Sequence, residues 1–239
     1  LPELRAEPQG DEVFITASDG TRIRAVSAGS GPTVVFAHGF MFTLQEWNVV
    51  WKMLLAKGYR LIAFDMDSTL INIECVDEIA DAAGRKAEVA AITEAAMRGE
   101  ITDYKESLRQ RVALLKGVSV SSMEEVLNQR MRLNPGAADL VAACKQVGMT
   151  TLLVSGGFTF FTDRIRDRLA IDCTRSNVLE MEDGVLTGRM LNQHWGDICD
   201  GEEKRRMLLQ TCAQNNIHPR HAIAMGDGAN DLPMMGVAG

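Results

Sequence analysis

The sequence has no apolar run that approaches the roughly 18 residues a membrane span requires, so we predict no membrane partner. Its polar, acidic N-terminus lacks the apolar segment of a signal peptide. Positive charge is also in short supply, because 25 Lys and Arg residues stand against 32 Asp and Glu residues. A chain with a net charge of -7 has no electrostatic footprint for nucleic acid, so we expect none as a partner.

Cysteine is sparse and irregularly placed. Its five positions are odd in number and include no Cys-x-x-Cys pair: Cys75, Cys144, Cys173, Cys199 and Cys212. The pattern argues against a disulfide framework and against a zinc site. We therefore predict free or buried thiols in a reducing environment, which favours a cytoplasmic location. No repeat or low-complexity segment is present, so the 239 residues are expected to form one large or two small globular domains.

Strand-length apolar runs alternate with amphipathic helical stretches, which predicts an α/β fold with a mostly parallel sheet. Three of these runs stop at polar clusters, namely Asp65–Asp67, Ser155–Gly157 and Gly226–Asp231. Each cluster alone is compatible with an ordinary turn. Open α/β sheets bind ligands at the carboxyl ends of their strands, however, so three such clusters together predict one site. Two Asp carboxylates there suit a hard cation, or a nucleophile beside an acid.

Residues 75–134 interrupt this alternation with helical patterns, in which apolar residues recur at helical spacing. The breaks between the helices fall at Gly84, Gly99 and Gly117. Two interpretations are open at this point. An ordinary helical subdomain and a cap over a functional site predict the same helices, but only the cap predicts a polar inner face.

The run Asp65–Leu70, with the sequence DMDSTL, resembles the first motif of the haloacid dehalogenase superfamily. From about residue 61 onward, the order and spacing of the motifs resemble the phosphoserine phosphatase family. The resemblance implies a Rossmann-like core at 60–74 and 135–239 that carries a helical cap at 75–134. It also implies a Mg2+-dependent phosphomonoester hydrolase of serine biosynthesis, which converts O-phospho-L-serine to L-serine and phosphate through an aspartyl-phosphate.

The resemblance gives roles to the acidic residues of the clusters and to one lysine. Asp65 would attack phosphorus, and Asp67 would act first as general acid and then as general base. Mg2+ would be held by Asp65, Asp227 and the main-chain carbonyl of Asp67. Lys204, near the start of a predicted helix, would offset the charge of the phosphate and of Asp65, with Asp231 in support. Without the resemblance, a single helical lysine is more simply explained as solvated.

Five further residues would bind the substrate. The Ser155 hydroxyl and the Gly156 N–H would donate hydrogen bonds to phosphoryl oxygens. Glu74 would meet the substrate ammonium group, and Arg111 would pair with the substrate carboxylate. Asn230 would contact the substrate or order the last loop. From the pattern alone, Glu74 and Arg111 are more simply explained as surface charges on helices.

Residues 11–65 resemble a different family, the α/β-hydrolases. The matching features are two strands joined at Ser18–Gly20, a Gly-Ser-Gly-Pro turn, a strand ending at His38, an amphipathic helix, and a strand ending at Asp65. The Gly-x-Ser-x-Gly nucleophile elbow of that family is missing, so His38 is interpreted as a structural remnant and a serine esterase is the weaker enzyme hypothesis. Residues 1–59 are therefore assigned to a separate N-terminal segment, and the chain looks like a chimera or fusion.

The chain ends at Gly239, where the phosphoserine phosphatase family continues with at least one more strand and a helix. We therefore expect the strand before Asp227 to lie at an exposed edge of the sheet. A catalytically impaired chimera or scaffold is the alternative to an active enzyme. Convergence of Asp65, Ser155 and Asp227 in the folded chain would favour the active enzyme. The sequence leaves the oligomeric state open.

Overall fold

The computed structural model describes residues 11–16, 22–27 and 58–239. The first two ranges form a hairpin, in which β1 (Asp11–Thr16) pairs antiparallel with β2 (Arg22–Ser27). Arg and apolar residues alternate at the start of β2, which is the period-two pattern of a strand with two different faces. The two strands predicted near the N-terminus are therefore confirmed. The predicted strand before His38 and the helix after it fall outside the described residues.

Five further strands form the main sheet: β3 (Leu61–Phe64), β4 (Thr150–Phe158), β5 (Cys173–Glu182), β6 (Val185–Leu191) and β7 (Ala222–Met225). Their order is β6-β5-β4-β3-β7. All neighbouring pairs are parallel except β5 and β6, which form an antiparallel hairpin. The predicted mostly parallel sheet is thus confirmed. Among the strands of the described ranges, β7 pairs with β3 alone and stands last in this order. The exposed edge expected from the sequence stays a prediction.

Both faces of this sheet are buried, as is usual for parallel strands. Along β3, Leu61 and Ala63 contribute to one hydrophobic cluster, and Ile62 and Phe64 contribute to the other. All four side chains are at most 2% exposed. Burial of a Leu, Ile or Phe side chain stabilises a fold by about 1.5–3 kcal/mol. A charge introduced at Phe64 would therefore disrupt the strand that leads into Asp65.

Helices form the insert between β3 and β4 and cover the sheet. The insert contains α1 (Cys75–Ala82), α2 (Lys86–Met97), α3 (Tyr104–Ala113) and α4 (Val120–Glu125), which continues into a π-helical turn at Val126–Arg130. The remaining helices are α5 (Ala137–Gln146), α6 (Thr159–Leu169), α7 (Gly201–Gln214) and α8 (Leu232–Met235). The helical pattern predicted for residues 75–134 is observed. Within the described ranges, no helix combines the length and apolar character needed to cross a bilayer.

Helix α3 matters most for the site, and its start is set by a side chain. The Asp103 carboxylate accepts a hydrogen bond from the Lys105 N–H at 2.9 Å, which satisfies one free donor of the first turn. Ser107, Leu108 and Val112 are buried, and Leu108 and Val112 share one face of the helix because they are four residues apart. The opposite face is left to charged residues.

The insert is joined to the β5–β6 hairpin by main-chain hydrogen bonds between residues 117–120 and 184–186, which we call the cap ladder. The Gly117 N–H donates to the Leu186 carbonyl, and the Leu186 N–H donates to the Val118 carbonyl, both at 2.8 Å. The Val120 N–H donates to the Gly184 carbonyl at 3.0 Å. These bonds fix the connection between α3 and α4 next to β6.

Candidate active site

The strand β3 delivers Asp65 to the carboxyl edge of the sheet. The Asp65 N–H donates to the carbonyl of Met225, the last residue of β7, at 2.9 Å, so the two strands end side by side. Ser155 and Gly156 lie near the end of β4, which is the neighbour of β3 on the other side. Asp65 is 6% exposed and Ser155 is 1% exposed. The three polar clusters singled out from the sequence therefore meet at one edge of the sheet.

Lys204 is fully buried in the first turns of α7. The Asp200 carboxylate caps this helix by accepting a hydrogen bond from the Glu203 N–H at 2.9 Å. The Lys204 Nζ lies 2.9 Å from Asp65 Oδ1 and 2.6 Å from Asp231 Oδ1. Burial alone would lower the pKa of Lys204, but the two carboxylates raise it above its ordinary value. The ammonium group therefore stays charged, and the carboxylates replace its hydration.

The loop after β7 presents two more carboxylates. Asp231 Oδ2 accepts a hydrogen bond from the Gly228 N–H at 3.0 Å, and a Cβ on Gly226 would overlap the Asp231 carboxyl group. Asp227 is exposed at the mouth of the site. One carboxylate oxygen from each of Asp65, Asp227 and Asp231 lies within 4.8 Å of the other two. The loop thus completes a group of three acidic side chains.

Asp67 is buried two residues beyond Asp65 and has different partners. Its Oδ2 accepts a hydrogen bond from the Cys75 N–H, at the start of α1, at 3.1 Å. Its buried Oδ1 has no hydrogen-bond partner among the described residues. Burial raises the pKa of Asp67 to about 8, and the nearby Glu74 and Asp65 carboxylates add to the rise. The Asp67 side chain is therefore mainly protonated at neutral pH.

Asp65 has the opposite protonation. Burial raises the pKa of Asp65 to about 6, and the positive charge of Lys204 opposes that rise. At neutral pH, Asp65 is therefore mainly ionised while Asp67 is mainly neutral. Two carboxyl groups whose environments separate their pKa values in this way suit a nucleophile and a general acid.

The last part of β4, at Ser155–Gly157, lies beneath the start of α3. The Ser155 Oγ accepts a hydrogen bond from the Gly157 N–H at 2.9 Å. A Cβ on Gly156 would overlap the Tyr104 hydroxyl of α3 and lie 3.7 Å from the Asn230 amide nitrogen. A side chain at 156 would therefore force Tyr104 to move, and glycine permits this close approach of strand, insert and last loop.

Glu74 and Arg111 both belong to the side of the site that the insert covers. Glu74 precedes α1, and its Oε1 accepts a hydrogen bond from the Ser68 hydroxyl at 2.6 Å. Partial burial of its carboxyl group raises the pKa of Glu74, and Arg111 is near enough for its charge to oppose that rise. Arg111 lies in the last turn of α3, and its buried Nε has no hydrogen-bond partner within the described residues. The structure thus brings these two charges together near Asp67.

Two residues at the site were assigned no role from the sequence. Asn177 on β5 is buried, donates to the Gly156 carbonyl at 2.7 Å, and accepts a hydrogen bond from the Cys199 N–H at 2.8 Å. Ser68 has a positive φ of 55° and orients Glu74. A polar side chain inside a largely apolar strand is a signal that could have revealed Asn177. Ser68 offers no such signal.

The charges at the site fit a bound metal ion. The site contains more carboxyl groups than cationic side chains. The carboxyl groups are those of Asp65, Asp67, Glu74, Asp227 and Asp231, and the cationic side chains are Lys204 and Arg111. Carboxylate oxygens are the donors that a hard divalent cation prefers. The group formed by Asp65, Asp227 and Asp231 carries more negative charge than Lys204 offsets, which a divalent cation would correct.

Comparison with known proteins agrees with this arrangement. A family model described as haloacid dehalogenase-like hydrolase matches residues 62–236. A curated phosphoserine phosphatase from a Polaromonas species is 79% identical over 80% of this chain and 81% of that protein. This chain belongs to the phosphoserine phosphatase family of haloacid dehalogenase-like hydrolases. The family predicted from the DMDSTL motif is confirmed, and so is the prediction of a phosphatase enzyme.

Other members of the family are similar over the same region. The phosphoserine phosphatase of Albidiferax ferrireducens is 74% identical over 78% of each chain. A solved structure of a phospho-aspartyl intermediate analogue of phosphoserine phosphatase gives a TM-score of 0.69 at 36% identity, over 76% of this chain and 84% of that one. A substrate-bound phosphoserine phosphatase gives 0.67 at 35% identity, over 76% and 83%. Phosphatases of this family are generally metal-dependent. The family match begins at residue 62, so a chimeric origin of the preceding segment stays a prediction.

Proposed function

We propose that the chain hydrolyses O-phospho-L-serine to L-serine and phosphate in a Mg2+-dependent reaction, with Asp65 as the nucleophile. The observation that carries the proposal is the environment of Asp65, a buried carboxylate 2.9 Å from Lys204 and grouped with Asp227. Relatives at 79% and 74% identity that are named phosphoserine phosphatases support this substrate. All five cysteines are free, which supports a cytoplasmic location.

In the first step, a carboxylate oxygen of Asp65 forms a bond to phosphorus, and the bond between phosphorus and the serine oxygen breaks. Asp67 gives its proton to the departing serine oxygen, so serine leaves as a neutral alcohol. Asp67 suits this role because it is buried beside other carboxylates and its Oδ1 is free of hydrogen bonds to the described residues. The step leaves an aspartyl-phosphate on Asp65 and a carboxylate on Asp67.

In the second step, a water molecule attacks phosphorus and gives one proton to the Asp67 carboxylate. The bond between phosphorus and the Asp65 oxygen breaks, and its electron pair returns to the Asp65 carboxylate. Inorganic phosphate carries away the oxygen of the water. Asp67 has regained the proton that it lost in the first step, so one turnover leaves both residues as they began.

The groups that bind the phosphoryl oxygens are two hydrogen-bond donors and a lysine, which are held in place before the substrate binds. The Ser155 Oγ accepts from the Gly157 N–H, which leaves its own O–H available to donate to the substrate. The Gly156 N–H, also near the end of β4, is a second donor. Lys204 is fixed by Asp65 and adds a positive charge. Donors fixed before the reaction stabilise the charge that develops in the transition state without further reorganisation.

Asp65, Asp227 and the main-chain carbonyl of Asp67 are the groups that would hold Mg2+. When bound, Mg2+ supplies positive charge that reduces the repulsion between the Asp65 carboxylate and the phosphate. Asp231 has a supporting role in this proposal, because its two oxygens are occupied by Lys204 and by the Gly228 N–H. It keeps Lys204 directed at Asp65.

The insert at 75–134 acts as a cap that selects the substrate, over a core formed by residues 60–74 and 135–239. Glu74 binds the ammonium group of phosphoserine, in the orientation set by Ser68. Arg111 binds the carboxylate. Its buried Nε has no hydrogen-bond partner among the described residues, so it can donate to the substrate. Asn230 orders the last loop beside Gly156 or contacts the substrate. Recognition of both charged groups would favour phosphoserine over phosphomonoesters that lack them.

The test is phosphate release from O-phospho-L-serine, with Mg2+ and with a chelator, by the wild type and two matched variants. Asp65→Asn removes the nucleophilic carboxylate at nearly constant size, and Asp139→Asn makes the same change at an exposed position of α5. We expect Mg2+-dependent release by the wild type and by Asp139→Asn, and none above background by Asp65→Asn. Wild-type turnover by Asp65→Asn would exclude Asp65 as the nucleophile. Absence of release by the folded wild type would favour the impaired scaffold.

A further inference from the structure

The two ends of helix α3 are attached to the sheet by contacts of different kinds. Beyond its C-terminal end, the cap ladder joins residues 117–120 to residues 184–186 through main-chain hydrogen bonds of 2.8–3.0 Å. Gly188 also brings β6 against the last residue of the helix, since a Cβ there would lie 3.0 Å from the Ala113 carbonyl oxygen. The C-terminal end of α3 is therefore joined to the hairpin by several backbone contacts.

The N-terminal half of α3 packs on the core through Leu108, and its basic side chains are paired with one aspartate. Asp197 precedes α7, and its Oδ1 lies 2.7 Å from Lys105 Nζ while its Oδ2 lies 2.6 Å from Arg109 Nη2. Lys105 also lies 3.6 Å from a carboxylate oxygen of Asp200, the capping residue of α7. The Lys105, Arg109 and Asp197 side chains are 31%, 47% and 39% exposed. We call this set of ion pairs the Asp197 latch.

The latch is the weaker of the two attachments. Partly exposed ion pairs are screened by salt and stabilise a contact only modestly. The cap ladder is formed by uncharged main-chain groups, so salt affects it much less. When α3 moves away from the sheet, we therefore expect its N-terminal half to leave first while the ladder stays closed.

Movement of α3 would change access to the site. Tyr104, its first residue, reaches the backbone of Gly156, and Arg111 lies in its last turn. Beneath them, Lys204 is 0% exposed and Ser155 is 1% exposed. A phosphoester can reach these groups only if the residues above them move, and the substrate must then be enclosed again for Arg111 to bind it.

We propose that Asp197 is a positioning residue, which docks the N-terminal half of α3 over the active site and so holds Arg111 against the substrate carboxylate. The inference rests on the proposed function, because it relies on Arg111 as the partner of the substrate. Asp197 acts through Lys105 and Arg109 and makes no contact with the reacting groups. Ion pairs of this modest strength suit a contact that must break and re-form in every turnover.

The first experiment measures hydrogen–deuterium exchange of the whole chain in Asp197→Asn and in a matched control. Asp163→Asn is the control, since Asp163 is 45% exposed and pairs with Arg166 within α6 at 3.3 Å. Amides of residues 104–110 should exchange about 3- to 10-fold faster in Asp197→Asn than in the control. Residues 117–120 should keep the same protection in both, because the cap ladder does not depend on the latch.

The second experiment is kinetic and separates positioning from a general loss of structure. For Asp197→Asn we expect the KM for phosphoserine to rise about 3- to 10-fold while kcat changes by less than about twofold. The KM for p-nitrophenyl phosphate, which has no carboxylate for Arg111, should stay constant. High salt should raise the KM of the wild type toward that of the variant. The exchange Asp197→Lys with Arg109→Glu should lower the KM relative to either single change.

The outcomes separate this inference from the proposed function. Equal hydrogen–deuterium exchange of residues 104–110 in Asp197→Asn and Asp163→Asn would overturn the latch. So would an equal KM of Asp197→Asn and the wild type for phosphoserine at low salt. A KM increase shared by p-nitrophenyl phosphate would indicate a general distortion and would also overturn it. If the wild type released no phosphate from phosphoserine, the proposed function would fail, while the exchange data would still decide whether Asp197 docks α3.

Discussion

Replacing Lys204 with methionine removes a buried charge while nearly preserving the length and shape of the side chain. In the folded protein, the Lys204 Nζ lies 2.9 Å from Asp65 and 2.6 Å from Asp231, and the side chain is 0% exposed. The variant therefore leaves two buried carboxylates facing each other without a cation. Breaking a buried ion pair by removal of one partner destabilises a protein by about 3–5 kcal/mol. We expect Lys204→Met to lower the free energy of unfolding by this amount at neutral pH.

The measurement is urea unfolding with a chelator present, so that no metal ion offsets the carboxylates. Lys86→Met is the matched control, because Lys86 is 57% exposed and its nearest carboxylate oxygens are 3.9 and 4.0 Å away. The control should change the free energy of unfolding by less than about 1 kcal/mol. An equally small change for Lys204→Met would refute the reasoning, since it would show that the ammonium group is not needed to offset Asp65 and Asp231.

The pH dependence gives this prediction a sign. Burial raises the pKa of Asp65 from 3.8 to about 6 even with Lys204 present, and Lys204 opposes the rise, so its removal raises the pKa further. A carboxyl group whose pKa is raised in the folded state lowers the free energy of unfolding only at pH values above its ordinary pKa, where the same group is ionised in the unfolded chain. The destabilisation by Lys204→Met should therefore be larger at about pH 8 than at about pH 5. Equal values at both pH values would contradict a role for Asp65 ionisation.

Three further predictions concern single side chains. Gly156→Ala should reduce kcat/KM by about 100-fold or more, because the new Cβ overlaps the Tyr104 hydroxyl and displaces α3 from the end of β4. Restored activity in the double variant Gly156→Ala with Tyr104→Ala would support this cause, and a fully active Gly156→Ala variant would exclude it. Arg111→Lys should raise the KM for phosphoserine by about tenfold while p-nitrophenyl phosphate hydrolysis is unchanged, since a lysine cannot pair with the carboxylate in a bidentate manner; equal effects on both substrates would contradict carboxylate recognition. Burial raises the pKa of Asp172, but hydrogen bonds from Lys145 and from Thr151 hold it below the ordinary value of 3.8. Asp172→Asn should therefore destabilise the fold by about 1 kcal/mol at neutral pH, and the difference from wild type in urea unfolding should shrink as the pH falls below 3.8; a difference that grows in acid would have the wrong sign.

The position of the site could be predicted because it depends on strand ends. Asp65 follows an apolar run, and parallel strands end at one edge, so Asp65, Ser155 and Asp227 were expected to meet. The family pattern gave Asp231 a supporting role toward Lys204 or metal-bound water, and in the structure its Oδ1 lies 2.6 Å from the Lys204 Nζ. These features are local in the sequence or follow from the sheet alone.

Other features depend on tertiary pairing and leave no local pattern. Asp197 and Lys105 are 92 positions apart, and either one reads as an ordinary surface charge until the fold brings them together. The end of β4 was also misjudged, since Gly156 and Gly157 indicate a turn after Val154. In the structure β4 runs on to Phe158, because Phe158 pairs with a residue of β5 after an irregularity in the register.

The cap ladder has a consequence for protein engineering. Residues 117–120 and 184–186 are joined through main-chain atoms, but four of these positions still constrain the side chain. Gly117 and Gly184 have positive φ angles, and Val118 and Leu186 are buried in the core. We therefore expect that libraries which keep these four positions and randomise the inner face of the insert retain its orientation toward the sheet. Directed evolution of new phosphomonoester preferences would then require changes in the insert and at Glu74, with the catalytic residues of the core left intact.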